Sequence, residues 1–210
     1  MMNVLGIIFA NIYDSELGQL TNKRTIASLP FGGRYRQIDF TLSNMSNAGI
    51  RHIGLITKYK YQSLMRHIGS GQEWNLEIGE DGLEFLTPYS VSEKSTYLGK
   101  LDALHTFMQF LESSEEEYVV LADSNVLCSM DLNKVLEHHI ASEKDVTVVA
   151  KEGIANGKKL LDLAIRQDEH GNILDMAVDY CAGPANLVRP ALKILIRRVF
   201  SACWIPTLSR

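Results

Sequence analysis

The chain has 210 residues, of which 46% are hydrophobic, 22% charged and 8% aromatic. That composition belongs to a globular domain and excludes a disordered, collagen-like or coiled-coil chain, and a chain of this length buries roughly 70% of its unfolded surface. With 21 basic and 25 acidic residues the net charge is −4, so there is no general electrostatic case for nucleic acid or an anionic membrane as partner. Its apolar runs are too short to span a bilayer, and the first of them lacks the cationic flank of a signal peptide. Cys128, Cys181 and Cys203 are scattered and make neither a disulfide framework nor a zinc spacing, so a reducing cytoplasm is the expected location.

Residues 3–10 (NVLGIIFA) form an apolar run that predicts a strand buried on both faces. Residues 11–28 are polar and irregular, and a connection of that length is usually functional or mobile. Pro30-Phe31-Gly32-Gly33 is a turn signal. Ile38, Leu42, Met45 and Ala48 then recur at helical spacing, with Gly49 as the stop. A second strand is expected over 52–57, followed by a helix over 61–68 with Leu64, Met65 and Ile68 on one face. Residues 69–82 are glycine-rich and turn-like, and a short strand follows over 83–87.

One amphipathic helix is expected over 101–111, with Leu101, Leu104, Met108 and Leu111 on its stripe. Residues 118–122 (YVVLA) read as a buried strand ending at Asp123. Asp131 is placed to cap a helix carrying Leu132, Val135, Leu136 and Ile140. A strand over 145–150 and a hairpin, 161–166 and 173–178 around the turn 168–172, complete the pattern. Strands alternating with helices predict an α/β fold with a mainly parallel sheet and antiparallel additions at its edge. Ligands of such sheets sit at the carboxyl ends of the strands, which points to the segments after Ala10, Thr57 and Ala122.

Asp123 ends a hydrophobic strand, where a carboxylate either caps the next turn or holds Mg²⁺ against a phosphate. Gly99 opens a helix, where the backbone lets a ligand approach and the helix start favours anions. His138 and His139 are neighbours in a helix and do not share a face, so they are expected to be solvated or half-packed rather than metal ligands. Cys128 has no basic neighbour in the sequence and reads as a packed thiol.

Residues 29–44 (LPFGGRYRQIDFTLSN), continuing through 48–60 (AGIRHIGLITKYK), resemble the ADP-glucose pyrophosphorylase (glucose-1-phosphate adenylyltransferase) family. Gly99-Lys-Leu-Asp-Ala103 aligns with that family's Gly-Thr-Ala-Asp-Ala, and Ala122-Asp-Ser124 with its Gly-Asp-His. The likeness runs from residue 3 to about 188. It implies a Rossmann-like nucleotidyltransferase domain over 1–188, Mg²⁺ as cofactor of active members, Gly99, Asp102 and Asp123 as positions that bind nucleotide or sugar, and Asp123 as the metal ligand. The family continues into a left-handed β-helix, which this chain is expected to lack.

Active members carry Gly-Gly-x-Gly-x-Arg-Leu directly after the first strand, with amides that cradle the triphosphate and an arginine that stabilises transition-state charge. Here the glycine positions hold Asn11, Ile12 and Asp14, the arginine position holds Glu16, and the lysine of an Ala-Lys-Pro signature is replaced by Ile26. The departures resemble the family's non-catalytic, regulatory branch. They imply a cytoplasmic subunit of bacterial glycogen biosynthesis that pairs with a catalytic subunit and retains at most weak sugar-phosphate or nucleotide binding. The alternative is an active enzyme with an unusual loop, making ADP-glucose and pyrophosphate from ATP and glucose 1-phosphate with Mg²⁺.

Residues 189–210 carry five basic groups (Arg189, Lys193, Arg197, Arg198, Arg210) and no acid, while the rest of the chain has a net charge of −9. They match nothing in the family and are expected to be an atypical tail, such as the product of a frameshift or truncation. The competing reading is a basic amphipathic helix with Leu192, Leu195, Ile196 and Phe200 on one face.

Overall fold

The structure is a computed structural model that describes residues 3–11, 14–79, 82–87, 97, 99–152, 163–178 and 188–197. In chain order its elements are β1 (Val4–Phe9), β2 (Pro30–Phe31), β3 (Tyr35–Arg36), α1 (Gln37–Asn47), β4 (Ile53–Ile56), α2 (Gln62–Ile68) and β5 (Leu83–Leu86). Then follow α3 (Lys100–Thr106), α4 (Met108–Ser113), β6 (Tyr118–Asp123), α5 (Leu132–Ser142), β7 (Val146–Glu152), β8 (Leu163–Gln167), β9 (Ile173–Val178) and β10 (Val188–Arg197).

Alternation along β1 sets the layers. Val4, Ile8 and Ala10 join one hydrophobic cluster, and Leu5, Ile7 and Phe9 join a second on the opposite side. A strand that is apolar on both faces must be covered on both. Ile38, Leu42 and Met45 of α1, Leu64 and Ile68 of α2, and Leu132 and Leu136 of α5 cover the first face. Ala103 of α3, Phe107 at the junction of α3 and α4, and Leu111 of α4 cover the second. The sheet between them is parallel in the order β5-β4-β1-β6, with Gly6 opposite Ile53 on one side and Val120 on the other. This is the α/β Rossmann-like arrangement expected from the sequence.

Beyond β6 the sheet turns antiparallel. β10 pairs with β6, Lys193 opposite Ala122 and Arg197 opposite Tyr118, and also with β7. Val188 meets Ile165 of β8, which forms a hairpin with β9. The register of β10 against β7 shifts between Arg189 and Lys193. Pro190 lies in that shift, where a residue without an N–H is tolerated. The helical reading of the basic segment is therefore corrected as far as Arg197. The edge of β6 away from β1 would otherwise leave backbone groups unpaired, and this segment, with Ile194, Leu195 and Ile196 opposite Leu121, Val120 and Val119, satisfies them as a strand. The composition change at residue 188 coincides with the start of β10. Residues 198–210, including Phe200, lie outside the described residues.

Three smaller expectations are corrected. The helix over 101–111 is two helices, because Phe107 adopts φ −106°, ψ 28° as its ring enters the core. The buried stripe is Ala103, Phe107 and Leu111, which leaves Leu101 66% exposed. Along α2 and α5, Met65 and Ile140 also face solvent. His139 is buried rather than solvated, with Nδ1 2.7 Å from Thr147 Oγ1 and its ring edge-on to Tyr118.

The core is closely packed at Gly54 of β4, where an added Cβ would lie 2.7 Å from Phe110 Cε1, 2.9 Å from Leu86 Cδ1 and 3.0 Å from Ile7 Cδ1. Overfilling a packed core costs about 1–3 kcal/mol. Gly54→Ala is expected to lower the unfolding free energy by that amount, read as a lower urea midpoint at an unchanged m-value.

Candidate functional site

The three parallel strands β4, β1 and β6 end side by side, and the polar residues at their ends face one another. Phe9 and Asp123 are register partners at the last rung of β1 and β6. Beyond that rung Ser124 N–H donates to Phe9 O at 3.2 Å and Ser124 Oγ–H to Ala10 O at 3.4 Å. Thr41 of α1 donates its hydroxyl to Asp123 O at 3.1 Å. Asn44, one turn on, donates to Cys128 O at 2.9 Å and accepts from Met130 N–H at 3.1 Å. The loop after β6 is thus held by α1, and the Cys128 thiol is partly buried beside Asn44.

The Asp123 side chain is 3% exposed and its Oδ2 lies 2.8 Å from Lys100 Nζ, whose side chain is 22% exposed. The same ammonium sits 5.6 Å from the centre of the Phe9 ring. Burial raises the Asp123 pKa above the ordinary carboxylate range, and the charge and hydrogen bond of Lys100 oppose that rise.

The connection after β1 is not irregular throughout. It contains two 3-10 segments, Asp14–Thr21 and Ile26–Ser28. Asp14 is buried, and its Oδ1 accepts the Ile26 N–H at 2.7 Å. Its pKa is pushed up to about 6 by burial, against the pull of the Ile26 N–H and the charge of Lys60. Lys60 Nζ donates to Thr21 O at 2.9 Å, so the segment after β4 clasps this loop. Thr21 Oγ1–H donates to Asp14 O at 2.5 Å and Ser28 Oγ–H to Thr25 O at 3.0 Å. Ile26 is itself buried.

Asn11, Lys58 and Tyr97 contact one another at the same end of the sheet. Asn11 Oδ1 accepts the Lys58 N–H at 3.2 Å. Lys58 Nζ donates to Tyr97 O and stands 4.2 Å from the centre of that ring. Burial lowers the Lys58 pKa, and Asp102 opposes the shift. Burial also raises the Tyr97 pKa, with the charges of Tyr59 and Asp14 adding to it. Five buried side-chain atoms in this region lack a hydrogen-bond partner among the described residues: Asn11 Nδ2, Asp14 Oδ2, Thr57 Oγ1, Tyr97 OH and Asp123 Oδ1. Buried polar atoms are ordinarily paired, so such a concentration marks a place built around water or a ligand.

Asn11, Asp14, Ile26 and Asp123 are thus brought to one end of the sheet. Asp102 is exposed and reaches the site electrostatically through Lys58. Gly99 precedes α3 with extended backbone (φ −144°), and the space that a Cβ would fill there is open. Ile12 and the Glu16 side chain lie outside the described residues. Sequence reasoning did not single out Lys58, Lys60, Tyr97 or Lys100. The signal for the first two was their place directly after the end of a buried strand.

Mg²⁺ requires several oxygen ligands in near-octahedral array. One oxygen of Asp123 is engaged by an ammonium, and no three His, Cys, Asp or Glu side chains gather among the described residues. With the Lys100 ammonium in contact, the Asp123 carboxylate does not fit the ion.

The raised Asp14 pKa has a consequence for stability. The native carboxyl holds its proton up to about pH 6, and the unfolded one releases it near 3.8. The native state therefore binds more protons in that window, and stability falls as pH rises through it. Asp14→Asn keeps an acceptor for the Ile26 N–H and removes the titration. The variant should be more stable than the parent above pH 6, by about 3 kcal/mol at most, with the gap closing below pH 4. Urea midpoints between pH 4 and 8 measure it.

Residues 5–156 match a family model described as nucleotidyl transferase. Over 186 residues the chain is 36% identical to the glycogen biosynthesis protein GlgD of Geobacillus stearothermophilus, covering 84% of this chain and 54% of that one. It is 39% identical over 153 residues to a glucose-1-phosphate adenylyltransferase of Thermosipho melanesiensis, covering 72% and 37%. The chain thus spans about half the length, or less, of these curated relatives. A Bacillus anthracis protein assigned as a glucose-1-phosphate thymidylyltransferase, crystallised with sucrose, superposes with a TM-score of 0.72 at 19% identity. That match covers 92% of this chain and 71% of the other and speaks to the fold alone. With its parallel core matched from β1 into the segment after β7, the chain belongs to the nucleotidyl transferase family.

Proposed function

We propose that the protein is a catalytically degenerate, regulatory subunit of ADP-glucose pyrophosphorylase, acting in the cytoplasm in bacterial glycogen biosynthesis as part of a hetero-oligomer with a catalytic subunit. The observation that carries this reading is the loop after β1. Where a triphosphate needs outward-facing amides and cations, this loop buries the Asp14 carboxylate and donates the Ile26 amide to it. Ile26 supplies an apolar side chain where the resembled motif has lysine. Each transition-state contact absent from such a site costs about 3–4 kcal/mol, a factor of several hundred in rate.

A second element of the reading is weak binding of a sugar phosphate or nucleotide without turnover. The unpartnered Thr57 Oγ1, Tyr97 OH and Asn11 Nδ2 support it, together with the lysines after β4.

The test is pyrophosphate release from ATP and glucose 1-phosphate with Mg²⁺. The chain alone is expected to run at least several hundred-fold below a catalytic subunit, as the loss of one such contact requires, and further below with two lost. Mixed with that subunit, it should co-elute and change its activity. Turnover by the chain alone at the rate of a catalytic subunit overturns the degenerate reading, and separate elution overturns the subunit reading.

A further inference from the structure

We propose that the Lys100 ammonium is a built-in cation that takes the place of a divalent metal at Asp123 and keeps such ions out. The inference deepens the non-catalytic reading above and rests on it. Lys100 begins α3, on one face of the sheet, and Asp123 ends β6 at the rim. Its side chain spans that distance to bring Nζ within 2.8 Å of Oδ2, past the face of Phe9. The aromatic face and the carboxylate together hold the positive head at the last rung of β1 and β6.

Charge explains why this position excludes a metal. A buried carboxylate needs a counter-charge, and a single ammonium neutralises it. A divalent ion would have to displace the ammonium and then share the site with it, like charge beside like charge. Lys58 and Lys60, anchored to the backbone carbonyls of Tyr97 and Thr21, add further positive charge at the same end of the sheet. The second oxygen of Asp123 stays buried with no hydrogen-bond partner among the described residues, so Lys100 is the ionic partner that the geometry provides. Lys100 also stands where the resembled Gly-Thr-Ala-Asp-Ala motif carries threonine, which has no charge to offer.

Mn²⁺ is the probe, titrated into the full chain at pH 8 without nucleotide or partner, with free ion read by electron paramagnetic resonance and melting followed in parallel. The parent and Lys100→Arg should show no Mn²⁺ binding that depends on Asp123. Lys100→Thr should bind Mn²⁺ at least tenfold more tightly than the parent and melt higher with the ion than without it. Lys100→Thr with Asp123→Asn should lose both effects. If Lys100→Thr gives no cooperative melt, Lys100→Gln, which keeps a hydrogen-bond donor without the charge, provides the same readout. Mn²⁺ binding by the parent that Asp123→Asn abolishes overturns the inference, as does a folded, uncharged variant at position 100 that binds no more Mn²⁺ than the parent. Neither outcome depends on turnover or on the catalytic subunit, so the regulatory reading stands or falls separately.

Discussion

Asp123 is fixed by β6, which is hydrogen-bonded to β1 on one side and to β10 on the other. The Asp123 main chain is held opposite Phe9 at the last rung of β1 and β6, and its side chain is buried there. The charge must be answered where it stands, and the surroundings are arranged to do so. Lys100 reaches over from α3, Thr41 donates to the Asp123 carbonyl, and Ser124 ties the next residue back to the end of β1. The ion pair is a condition for ending a hydrophobic strand in a buried acid.

Asp14 shows the other solution to the same problem. Its carboxylate receives an amide hydrogen bond rather than a direct ammonium contact, and Lys60 acts on it through space. One N–H does not offset the desolvation, so the carboxyl rises to about 6. The hydrogen bonds of the loop turn inward as a result: Ile26 N–H to Asp14, Thr21 to the Asp14 carbonyl, Ser28 to the Thr25 carbonyl. A loop that grips phosphates directs its amides at the ligand instead. The same stretch of backbone cannot do both.

The parallel core was legible because β1, β4 and β6 are continuous apolar runs, the pattern of strands buried on both faces. Period alone could not place the break at Phe107, since Leu101, Leu104, Met108 and Leu111 also satisfy a helical stripe, and only the packed ring shows which face is buried. His139 sat on the polar side of any composition argument, but Thr147 and Tyr118 come from outside α5 and give it partners. The strand at Val188–Arg197 was hidden by its charge, which reports on side chains and says nothing of a backbone completing the edge of β6. At the site, carboxylates at strand ends were visible from position. Their lysine partners were not, because Lys100 and Asp123 are 23 residues apart and meet only through the fold.

The long block over residues 29–44 has a structural explanation that separates it from chemistry. Asp39 accepts the Arg36 N–H at the start of α1 and lies 2.5 Å from His67 Nε2. Thr41 holds the end of β6, and Asn44 holds the loop beyond it through two bonds. Ile38, Leu42 and Met45 fill the core beneath. Asp39, Thr41 and Asn44 each have a backbone or side chain to hold, so these positions serve the geometry of α1 and β6 whether or not a reaction occurs at the tip of β6. The loop after β1 carries no such demand: it needs only to close over the end of the strand, and a buried acid with an amide partner does that as well as a phosphate cradle. The two segments thus differ in what they hold: α1 ties down β6 and the loop beyond it, and residues 14–28 close on themselves through Asp14, Thr21 and Ser28.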